Sequence, residues 1–167
     1  MRFLTLVLAM ATSVASASGT DTKVFETFGE WTIMIRSGDP VACYATRMGE
    51  DGSEVQIGVE PDLQGGYFAV YNSAWTHIKE GDVGSVEFNF GTSRFGGEAV
   101  GKTENDIPGG YAFFDNPAFV EEFANRQTVK VIGTSGAVFE MDLTGTKKAV
   151  TGVLACQDAQ PKTDTNE

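Results

Sequence analysis

Histidine occurs once in this 167-residue chain, at His77, and cysteine only twice, at Cys43 and Cys156. So few imidazoles and thiols exclude a zinc centre built from the usual four Cys and His ligands. The two cysteines stand far apart, so there is no C-x-x-C redox pair either. Basic residues are scarce as well: 12 Lys and Arg face 23 Asp and Glu, for a formal net charge of −11. An acidic surface repels phosphate backbones and anionic headgroups, which speaks against nucleic acid as a partner. Its ordinary effect is solubility. Proline is rare, 5 residues against 20 glycines, a balance that suits tight turns between short strands rather than a disordered linker. Beyond the first seventeen residues there is no long apolar run, so no transmembrane segment is expected.

What the chain does have, at its start, is the pattern of an export leader. Arg2 precedes the apolar run Phe3–Met10, and Ala15-Ser16-Ala17 supplies an A-x-A cleavage site. Residues 1–17 therefore read as a signal peptide, whose removal with Arg2 takes the net charge to about −12. Export leads to an oxidising compartment, periplasmic or extracellular, where two thiols pair by default. A Cys43–Cys156 disulfide is the expectation. Residues 18–157 are long enough for one domain with a hydrophobic core, and 158–167 read as a flexible polar tail.

Period-two patterning recurs along that domain. Trp31, Ile33 and Ile35 share one face of a first strand over residues 28–36, after about eight polar or small residues. Val41–Met48 follows, with Val41, Cys43 and Ala45 on one face and Ala42, Tyr44 and Thr46 on the other. Val55, Ile57 and Val59 alternate with Glu54, Gln56 and Glu60. Further strands are expected at Tyr67–Tyr71, Val86–Phe90, Phe95–Gly101 and Tyr111–Phe114, with a hairpin of Thr128–Ile132 and Ala137–Leu143. Asn116-Pro117 has the chemistry of a helix N-cap and first helical position, ahead of an apolar face of Phe119, Val120 and Phe123. Thr144–Gln157 has helical spacing through Ala149, Val150, Val153, Leu154 and Cys156. The expectation is a mainly β, single-domain antiparallel β-sandwich or open barrel of about 8–9 strands with two short helices, one C-terminal. A disulfide from the inward face of the second strand to the apolar stripe of the last helix would then act as a staple.

No constellation singles out catalysis. His77 lies in Trp75-Thr76-His77-Ile78 with no G-x-S-x-G nucleophile context, and it reads as an ordinary loop residue. Asp51-Gly52-Ser53-Glu54 and Glu104-Asn105-Asp106 miss the calcium-loop pattern and read as turns. Gly96-Gly97 and Gly109-Gly110 lack the Lys and Ser/Thr of a phosphate-binding loop. No catalytic, metal or cofactor residue is assigned. The aromatics Tyr67, Phe68, Tyr71, Trp75, Phe88, Phe90, Tyr111, Phe113 and Phe114 read first as core, with a ligand cavity as the alternative. In Tyr67-Phe68 and Phe113-Phe114 one ring of each pair must face outward, where it would be a candidate partner contact.

Phe28-Gly29-Glu30-Trp31-Thr32, Cys43-Tyr44-Ala45 and the closing Leu143-Thr144-Gly145-Thr146-x-x-Ala149 together resemble the invasion-associated locus B family of secreted Gram-negative bacterial proteins. The likeness follows the order of elements over most of the chain, and the extra cysteines of that family are missing here. The resemblance implies a β-rich envelope or secreted protein with no established catalytic site. Gly29-Glu30-Trp31 is also similar to the opening of lipocalin-like, avidin-like and periplasmic inhibitor barrels. The expected function is non-catalytic, a secreted or periplasmic module that binds a protein partner in the envelope. A small-ligand barrel or a periplasmic inhibitor is the alternative.

Overall fold

The computed structural model describes residues 21–134 and 136–161. The leader expected over 1–17, and 162–167 of the expected tail, lie outside the described residues. In chain order the elements are β1 (Thr22–Phe28), β2 (Trp31–Arg36), β3 (Ala42–Met48), β4 (Glu54–Glu60), a 3-10 turn at Pro61–Leu63, β5 (Gly65–Tyr71), β6 (Val83–Asn89), β7 (Arg94–Glu104), β8 (Ile107–Phe114), α1 (Pro117–Asn125), β9 (Thr128–Gly133), β10 (Val138–Asp142) and α2 (Thr146–Asp158). All ten strands belong to one antiparallel sheet in the order β1-β2-β3-β4-β5-β8-β7-β6-β9-β10. β1 and β10 are its edges, so the sheet is an open, strongly bent barrel.

The tenth strand is β1, in the stretch expected as a polar lead-in. Gly29 has φ +55° and turns the chain back, pairing Phe28 with Trp31 and Thr22 with Arg36. Its side chains are exposed on both faces up to Thr27, so it carries no burial alternation for a sequence reading to detect. α1 begins as its cap chemistry dictates: the Asn116 carboxamide accepts from the Ala118 N–H at 3.0 Å, and Pro117 occupies the first helical position.

One face of the sheet wraps around the main core. Phe68 on β5 and Phe88 on β6 meet edge to face at 5.3 Å although two strands separate theirs, a measure of the bend. α1 inserts Phe119 and Phe123 into this core; Phe119 stacks on Phe114 at 3.8 Å and meets Phe88 at 5.0 Å. α2 lies across β2, β3 and β4. It is fastened there twice. Cys43 and Cys156, both fully buried, are joined by the expected disulfide. One turn position further, the Gln157 carboxamide accepts from the Cys43 N–H and donates to the Val41 carbonyl, each at 2.9 Å. That side chain takes the place of a neighbouring strand on β3, where β4 has no paired residue.

The far end of the sheet returns to its start at a second seam. Trp31, buried beneath the β10–α2 junction, donates from Nε1 to the Thr144 carbonyl at 3.4 Å. Arg47 lies 5.0 Å over the Trp31 ring, donates to the Asp142 carbonyl, and meets Glu30 at 3.5 Å.

Closing a loop of 113 residues stabilises by about 4–5 kcal/mol in the chain-entropy model. A Cys43→Ala/Cys156→Ala protein should lose roughly that much stability, and α2 amides should exchange faster before those of β6–β9. Unchanged hydrogen exchange in α2 would show that Gln157 and packing suffice without the bond.

Candidate functional site

The bent sheet leaves a recess at each end of its core. The first is a groove of about 350 Å³ between α1, α2 and the β4–β5 turn. Phe114, Phe119, Phe123 and Val153 form its floor. Val120 on α1 and Leu154 on α2 stand at its rim, 39% and 52% exposed. Glu60 and Asp115 are its only charged lining residues among those described. The turn that closes this end needs Gly65, because the Phe113 ring lies where its Cβ would be.

The second recess, about 340 Å³, opens at the other end of the sheet. Phe68, Val70, Val86, Phe88, Val131 and Phe139 wall it. The segment between β5 and β6 covers it through Trp75 and Ile78. That segment is docked on β7 by two backbone hydrogen bonds, Gly101 N–H to the Asp82 carbonyl at 2.7 Å and Gly81 N–H to the Gly101 carbonyl at 2.9 Å. Docking this close requires a glycine: a Cβ on residue 101 would run into the Lys79 carbonyl oxygen.

The opposite face of the sheet holds all four tyrosines of the chain. Tyr44, Tyr67 and Tyr71 are almost wholly buried there with Ala69, and Tyr111, Met34 and Ile107 pack against them. The Tyr67 ring crowds Gly58, and the Val70 carbonyl with the Tyr71 ring crowds Gly109, so a Cβ at either would clash. Arg36 caps the cluster, its guanidinium 4.6 Å from the Tyr44 centroid and 3.2 Å from Gln56 Oε1. The Tyr111 hydroxyl donates to Glu60 at 2.9 Å. Burial pushes all four phenols above their ordinary range. Tyr67, the outward ring of its pair, is therefore a covered packing group and no partner contact; Phe113 is half-buried against Gly65.

The chain is similar in fold to invasion associated protein B. The crystal structure of that protein from Bartonella henselae superposes with a TM-score of 0.56 over 81% of this chain and 98% of the other, at 15% identity. The resemblance read from the Trp31 strand, the Cys43 strand and the Leu143–Ala149 segment is thus matched at the level of fold. No protein-family model matches the sequence, and no curated protein does. Invasion associated protein B and this chain share an architecture.

The other residues weighed from sequence are dispersed. His77 is exposed in the segment between β5 and β6. Asp51 accepts from the Ser53 N–H at 3.0 Å and the Ser53 hydroxyl at 2.9 Å, a turn built around Gly52 at φ +78°. Asn105 and Asp106, both at positive φ, turn β7 into β8, and Gly96-Gly97 and Gly109-Gly110 lie inside those strands. Among the described residues two carboxyls hold their protons less tightly than usual: Glu122 by its hydrogen bond from Arg126, Asp142 by bonds from Thr144. Sequence reasoning placed Val120 and Leu154 on apolar helical stripes but missed that they border an open groove. The available signal was stripe width, since Phe119-Val120 and Val153-Leu154 are adjacent apolar pairs that cannot all face inward.

Gly101→Ala should lift the covering segment, and Trp75 emission should shift to the red while the far-ultraviolet circular dichroism stays constant; unchanged emission would refute the docking role. For the tyrosines the sign is that of an acid with raised affinity. Their contribution to stability is complete below about pH 10, the unfolded value, and is lost as pH rises above it. Tyrosinate absorbance should therefore stay low above pH 10 and then appear with unfolding. A gradual titration of the folded protein near pH 10 would contradict that.

Proposed function

We propose that this protein is a non-catalytic, exported binding module that docks an apolar side chain of a partner protein in the groove between α1 and α2. The observation that carries the reading is the pair Val120 and Leu154, apolar and exposed on facing helices at the mouth of a preformed recess. What sets this pair apart is its place: exposed apolar side chains beside an apolar recess are the usual form of a docking site. The two charged groups in the lining, Glu60 and Asp115, are both acidic, and the chain as a whole carries −11. The partner segment is then a hydrophobic anchor flanked by Lys or Arg, which the acidic rim attracts and orients. Such a contact acts outside the cytoplasm, in the compartment that the disulfide and the leader both suit.

The discriminating experiment compares partner capture by the mature protein and by Leu154→Glu and Val120→Asp variants. An anchor that fills the groove should lose at least about tenfold in affinity to either variant. Capture should weaken in moderate salt, because acidic-rim steering is screened. Equal capture by both variants would remove the groove from the function. Mature protein that elutes as a dimer until Leu154→Glu is introduced would make the occupant a second copy.

A further inference from the structure

The recess at the other end of the sheet is independent of the groove, since the Phe68–Phe88–Phe119 ring cluster lies between them. Its emptiness comes from residue choice. Four inward positions on the long β7–β8 hairpin that face it are Ala99, Gly101, Gly110 and Ala112, where neighbouring strands offer Val70, Val86, Phe88, Val131 and Phe139. Gly101 is explained by the docked segment. Gly110 is not: its backbone is ordinary, and a Cβ there would meet no atom within 4 Å. A close-packed interior fills such a position, and here it stays open beneath Trp75 and Ile78.

The lining is mostly apolar. Two polar side chains at its margin are engaged with backbone: Asp82 Oδ2 accepts from the Lys79 N–H at 2.8 Å, and Thr134 Oγ1 accepts from the Ser85 N–H at 3.1 Å. An apolar cavity without free polar partners stays dry and takes up apolar guests; one of about 150 Å³ holds benzene. At about 340 Å³ this one is large enough for a fused or substituted ring system. Asp82 is the sole charged lining residue among those described, and it disfavours anions. We infer that the β6–β9 end of the sheet binds one small, uncharged, mostly apolar ring-containing molecule beneath Trp75. It enters past Val83, where the wall is exposed.

Two probes that share a skeleton test this, N-phenyl-1-naphthylamine and its sulfonate, 1-anilinonaphthalene-8-sulfonate. The neutral dye should bind the full-length mature protein at one site with enhanced emission and with energy transfer from tryptophan. The sulfonate should bind about tenfold more weakly or worse. Gly110→Leu fills the open position and should abolish dye binding while the melting temperature holds or rises. Ala99→Leu fills the same wall from the neighbouring strand and decides the matter if Gly110→Leu fails to fold. Leu154→Glu, which disables the groove, should leave dye binding unchanged. No binding of the neutral dye, equal binding after both cavity-filling substitutions, or loss with Leu154→Glu alone would each overturn the inference.

Discussion

Everything at the groove end depends on how α2 is held to β3. The Cys43–Cys156 bond fixes the helix at one point, and Gln157 supplies β3 with the hydrogen bonds that β4 does not make there. Together they set both the height of α2 above the sheet and its rotation. With that rotation fixed, Val153 faces the core, Leu154 the mouth of the groove, and Gly152 the Ile33 side chain at a distance no larger residue would keep. Loss of the carboxamide would leave the N–H of buried Cys43 unpaired, at a cost of about 1–3 kcal/mol.

The division of aromatic residues between the two faces expresses a second constraint. The interior is a phenylalanine core, rings meeting at 5–6 Å with no hydroxyl to satisfy. The outer face takes every tyrosine of the chain, since there a phenol can reach Gln56, Glu60 or solvent while its ring covers a glycine. Each side of the sheet is thus buried by different chemistry. The outer cluster stiffens β3, β4, β5 and β8 without any helix on that face, which frees both helices for the inner one.

What the sequence makes legible follows from how local each cause is. The α1 cap, Asn116-Pro117, depends on neighbouring residues and is readable to the residue. The burial of Cys43 and Ala45 follows from alternation along one strand, as does their separation from Tyr44. β1 escapes because nothing buries it and only its ladder with β2 makes it a strand. Gln56 looked like the solvent side of β4 and is fully buried, since tyrosines from β3 and β5 cover it. The recess at the β6–β9 end of the sheet is the least legible feature. Ala99, Gly101, Gly110 and Ala112 read separately as weak strand and turn residues, and only the pairing of β7 with β8 brings them onto one wall.

The position of α2 in the chain also orders events in time. From β1 to β5 each strand pairs with its immediate predecessor, so that half of the sheet can form as a meander of local hairpins. The helix that completes the groove comes last and must return across 113 residues to reach Cys43. A chain interrupted between Asp142 and Gln157 owns every strand of the sheet and still has no groove. The groove is therefore the final product of folding, and its presence reports that the chain through Gln157 has arrived.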